Sequence, residues 1–153
     1  GGRVELRSRL HGGSCFRIDL PRATAGKRMP QVLVLSEVPA DAETLPMMLH
    51  AWGYNAVVTT PTRASQSAPA AKDGVDAVVC AVEDSDDPAW AALDAVSRQH
   101  PRAIRVVLAA IASSEVFERA GRAQARVLLR PLAPAKLRAL LAQRGITTLP
   151  GAA

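Results

Sequence analysis

The chain has 153 residues, 48% of them hydrophobic, and a formal net charge of +5. That length suits one core of ordinary size, and no apolar run approaches the roughly 18 to 20 residues that cross a bilayer. The first residues lack the apolar core and cleavage pattern of a signal peptide, so the expected location is cytoplasmic, with no direct membrane contact. The charge does not indicate nucleic acid. Residues 1 to 30 carry seven basic and two acidic groups, whereas residues 31 to 153 carry twelve of each. A neutral main domain without a basic recognition helix or an aromatic stacking platform is not a nucleic-acid binder. Cys15 and Cys80 lie in separate apolar runs and read as small buried hydrophobes, not as a disulfide. His11, His50 and His100 show no metal-ligand spacing with either cysteine. Neither a metal nor another cofactor is expected.

In chain order, Val4, Leu6, Ser8 and Leu10 alternate with charged residues, and Phe16, Ile18 and Leu20 alternate with Arg17 and Asp19. A period of two on both sides of Gly12-Gly13 predicts an N-terminal β-hairpin, which needs a surface to cover its apolar face. Residues 22–30 have no periodicity and read as a linker. Gln31 to Leu35 is a first strand of the main domain, continuously apolar from Val32 as a parallel strand buried on both faces should be. Asp41 is expected to cap a helix running to about Trp52, with Leu45, Met48, Leu49 and Trp52 as its apolar stripe and Gly53 as its end.

Tyr54 to Thr60 predicts a second, more polar strand. Residues 62–73 form a weak helix interrupted by Ser65, Ser67 and Pro69. Asp76 to Val82 (DAVVCAV) is the clearest strand. Asp87-Pro88 opens a helix with Trp90, Leu93 and Val96 inside. Ile104 to Ala110 is a fourth strand, and Ser113 or Ser114 caps the helix of Val116, Phe117 and Ala120. Arg126 to Leu129 is a fifth strand, followed by a helix carrying Leu137, Leu140 and Leu141.

Five strands alternating with helices specify an α/β class, a three-layer (βα)5 sandwich on a parallel sheet. Periodicity alone does not reveal the strand order. In the order 2-1-3-4-5, functional groups gather at the carboxyl ends of strands one, three, four and five.

The residues at those ends carry a resemblance. Val32 to Pro39 (VLVLSEVP), the helix ending Trp52-Gly53-Tyr54, the strand Asp76 to Val82 and the segment Leu129-Arg130-Pro131-Leu132 together resemble a response-regulator receiver domain of flavodoxin/CheY-like fold, over residues 31–145. In that family two acids after strand one help to hold Mg²⁺, an aspartate ending strand three accepts a phosphoryl group, a hydroxyl residue ends strand four, and a lysine precedes a proline after strand five.

The resemblance puts Ser36 and Glu37 at the acids, Ala81 at the acceptor, Ala109 at the hydroxyl residue and Arg130 at the lysine. The implied pocket is degenerate. A methyl group at Ala81 cannot attack phosphorus or ligate a hard cation, and Ala109 cannot bond a phosphoryl oxygen. Arg130 keeps the charge in a planar fork, not as a point. It has three readings: a salt bridge with Glu37, a solvated charge, or an anion sensor. The run Glu83-Asp84-Ser85-Asp86-Asp87 reads as an acidic loop at a helix N-terminus, with a displaced phosphoacceptor at Glu83 or Asp84 as the alternative.

Gly1 to Ser8 (GGRVELRS) and Gly13 to Pro21 (GSCFRIDLP) resemble the closing strands of a histidine-kinase ATP-binding domain, including its last glycine-rich box. The other ATP-binding boxes are absent from these residues, so neither ATP binding nor autophosphorylation is expected of them. The two resemblances imply a hybrid sensor kinase whose kinase remnant covers residues 1–21, with a linker at 22–30, a pseudo-receiver at 31–145 and a tail at 146–153. Implied partners are the histidine-kinase domains of the parent chain or another signalling protein, with a homodimer also plausible. Met47, Met48, Phe117 and Leu137 are candidate contact residues.

Overall fold

The computed structural model describes residues 3–9, 13–19, 29–66 and 74–143, the first two segments as backbone only. Strands β1 (Arg3–Arg9) and β2 (Gly13–Asp19) pair antiparallel. Their register sets Val4 against Ile18 and Leu6 against Phe16, so the apolar positions of one strand meet those of the other, as the alternation required. Most of the Gly12-Gly13 turn, residues 22–28 of the linker, residues 67–73 and the tail lie outside the described residues.

The main sheet contains β3 (Gln31–Leu35), β4 (Asn55–Thr59), β5 (Ala77–Val82), β6 (Ile104–Ala109) and β7 (Arg126–Leu129). All pairings are parallel, in the spatial order β4-β3-β5-β6-β7. Counted within this sheet, that is 2-1-3-4-5, so β4 and β7 are its edges.

Alternation along each central strand builds two cores. Leu33, Leu35, Val78, Cys80, Val107 and Ala109 point to one side, where they meet α2 (Pro61–Gln66), α3 (Ala89–Gln99) and α4 (Ser114–Arg122) through Ala64, Trp90, Leu93, Val96 and Val116. Val32, Val34, Val79, Val106 and Leu108 point to the other, where α1 (Pro39–Ala51) and α5 (Pro134–Ala142) supply Leu45, Leu49, Leu137 and Leu141. A continuously apolar strand is thus two half-patterns of period two, one for each helical layer. Burial of this apolar surface, at roughly 25 cal/mol per Å², is the main stabilising contribution.

The expected cap of α1 is corrected by the structure. The cap lies three residues earlier, with Val38 as the N-cap and Pro39 at the first helical position, and no side chain caps the helix. Proline starts helices well because its fixed φ suits the first turn and its missing N–H is not needed there. Asp41 therefore lies inside the first turn. The far end agrees with expectation: Gly53, at φ 86°, takes the left-handed conformation that ends α1. The weak second helix is short, six residues within the described part. Ser113 caps α4 by accepting a hydrogen bond from Val116 N at 3.2 Å.

Candidate functional site at the carboxyl ends of the strands

β3 delivers Ser36 to the top of the sheet. Its backbone N–H donates to Thr59 O at 3.2 Å, which extends the parallel ladder by one bond. The side chain is buried and used twice. Ser36 Oγ accepts from Val38 N at 3.1 Å and donates to Asp41 Oδ2 at 2.8 Å. The first bond shapes the loop that enters α1, and the second fixes a carboxylate over the strand end.

Across the sheet, β7 delivers Arg130, whose N–H donates to Ala109 O at 3.0 Å. Its guanidinium reaches Asp41 with both terminal nitrogens, Nη1 to Oδ1 at 3.1 Å and Nη2 to Oδ2 at 2.5 Å. This fork-to-fork geometry is specific to arginine and is stronger than a single neutral hydrogen bond. The Asp41 side chain is 12% exposed and that of Arg130 30%. Burial alone raises the Asp41 pKa; the hydrogen bonds from Arg130 and Ser36 and the guanidinium charge outweigh it, so the carboxyl lies below its ordinary value. The hydrogen bond to Asp41 likewise raises the pKa of Arg130.

Of the expected pairings of Arg130, the one with Glu37 is overturned: the ion-pair partner is Asp41, and Glu37 is exposed. The physical reason is the early start of α1. One turn of helix carries Asp41 back over the sheet, where Ser36 anchors it, while Glu37 stays exposed. Asp41 was missed as a site residue because it was assigned to capping. The proline two positions before it was the available signal.

Ala81 is half-buried inside β5, which continues to Val82, and Ala109 ends β6 fully buried in the core. Val82 and Ala109 are register partners. The five positions Ser36, Glu37, Ala81, Ala109 and Arg130 therefore share one end of the sheet; Ser36 and Arg130 are linked by their side chains through Asp41, and Arg130 is tied to Ala109 by the backbone alone.

The acidic run after β5 is a tied turn. Asp87 accepts from Glu83 N and from Ala89 N, each at 2.8 Å, and so holds the start of α3. Asp84 Oδ1 accepts from Asp86 N at 2.9 Å, and the carbonyl of Asp84 accepts from the buried Trp90 indole at 2.8 Å. Among the candidate contact residues, Leu137 is fully buried and belongs to the core, whereas Met47 and Phe117 are exposed.

Solved structures with this architecture include receiver domains. Chemotaxis protein CheY4 of Vibrio cholerae is 18% identical, with 74% of this chain and 97% of that one covered at a TM-score of 0.63. The receiver domain of a sensor histidine kinase from Pseudomonas aeruginosa, solved with a magnesium ion in its active-site cleft, is 23% identical, with 78% and 98% covered at 0.60. A putative pilus assembly protein of Burkholderia thailandensis is 27% identical, with 75% and 100% covered at 0.60. No protein-family model matches the chain, and no curated protein does. The fold is thus the flavodoxin/CheY-like α/β fold of receiver domains.

Magnesium prefers hard oxygen ligands in near-octahedral array. The donor set at these strand ends does not fit it. Ala81 offers no side-chain oxygen, the Ser36 hydroxyl is committed to Asp41, and the Asp41 carboxylate is committed to Arg130. Among the described residues, no group of three or more His, Cys, Asp or Glu side chains is placed to hold a metal ion.

Proposed function

We propose that residues 31–145 are a pseudo-receiver: a non-catalytic module that regulates or docks within a two-component sensor kinase system, independently of aspartyl phosphorylation. One observation carries this reading. Where a receiver needs a free carboxylate and a metal, Arg130, Asp41 and Ser36 satisfy one another. An internal guanidinium already neutralises the acid, and Ala81 has no oxygen with which to form an acyl phosphate.

In this proposal residues 1–21 are the closing hairpin of a histidine-kinase ATP-binding domain, residues 22–30 a linker and residues 146–153 a tail. The partners are the kinase domains of a cytoplasmic hybrid sensor kinase or another signalling protein, and self-association is a further outcome. The degenerate pocket comprises Ser36, Glu37, Ala81, Ala109 and Arg130, to which Asp41 is added.

The competing reading is a divergent phosphoacceptor that uses Glu83 or Asp84 in a phosphorelay. Both are exposed, which favours it, but Asp84 is engaged with Asp86 N in its own turn. An amide-resolved NMR titration with Mg²⁺ and beryllofluoride separates the two. No saturable shifts at Glu37, Ala81, Ala109 and Arg130 or in residues 83–87 is the expected result. A tight response centred on residues 83–87 establishes the displaced acceptor and ends the pseudo-receiver reading.

A further inference from the structure

We draw no further inference here: the strongest candidate, the groove between α4 and α5 along the edge strand β7, lined by Phe117, Val127, Leu128 and Leu140, carries nothing because nothing in the structure shows what covers it.

Discussion

Arg130 and Asp41 lie 89 positions apart in sequence and hold each other by two parallel N–H···O bonds. They join the loop after β7 to the first turn of α1 across the top of the sheet. Because both groups are largely withdrawn from water, removing one partner leaves the other with an unpaired charge.

Arg130→Met or Asp41→Ala should each destabilise the domain by about 2 kcal/mol, the range for a lost charge-assisted hydrogen bond at a partly buried site. The double variant should cost less than the sum, with a coupling of at least ~1 kcal/mol. Urea denaturation of the four species measures it. Strict additivity rules out the pair as a stabilising unit.

Acid sensitivity follows from the same carboxyl. The folded Asp41 has a pKa below its unfolded value of 3.8, so the unfolded state binds the proton more readily. The stabilisation from this group is present above that value and is lost as pH falls through the folded pKa. Asp41→Asn should therefore flatten the fall in stability below about pH 4. Denaturation curves at a series of acidic pH values for the two proteins provide the comparison.

Cys80 is fully buried on β5, and burial, with a smaller contribution from the Asp87 charge, pushes its thiol up to about 12. The thiolate is the reactive form. Native protein should resist iodoacetamide at Cys80 at neutral pH, and urea-unfolded protein should be alkylated there, as read by mass spectrometry of the Cys80 peptide. Fast native labelling at that residue contradicts the packing described.

The exposed and buried apolar residues of the helices should separate cleanly. Leu137→Ala removes a side chain wholly inside the core and should cost about 3 kcal/mol. Phe117→Ala, at 47% exposure, and Met47→Ala, at 74%, should each change stability by no more than about 0.5 kcal/mol. If either surface variant loses binding to a kinase partner while keeping its stability, that face is a docking surface.

The central strands β3, β5 and β6 are legible because each is a short apolar run buried on both faces, as Val32 to Leu35 shows. Their spatial order is not, since periodicity is local and the order depends on which runs meet; only the resemblance supplied it. At the helix starts, Ser113, one of the two cap candidates with Ser114, takes the cap of α4, whereas Asp41 does not cap α1. Both residues suit a cap, and the distinction lay in Pro39, whose fixed backbone moves the start of α1 upstream. That shift hid the partner of Arg130, and Leu137 was ambiguous for a related reason: an apolar helical residue reads alike whether it faces a core or a partner.

The two edges of the main sheet, β4 and β7, leave one side of each strand unpaired. β7 has only four residues, opens on the exposed Arg126 and is followed within two residues by Pro131, which has no N–H to donate. A foreign strand laid along it finds few bonds to make and a charge at its entry. β4 is longer and carries the exposed Val57 at its centre, whereas the exposed Leu129 of β7 stands at the last position of that strand, beside Arg130 and Pro131. Unwanted sheet-to-sheet polymerisation is therefore guarded against at one border more strictly than at the other, and the first intermolecular strand in a stressed sample should add beside Val57.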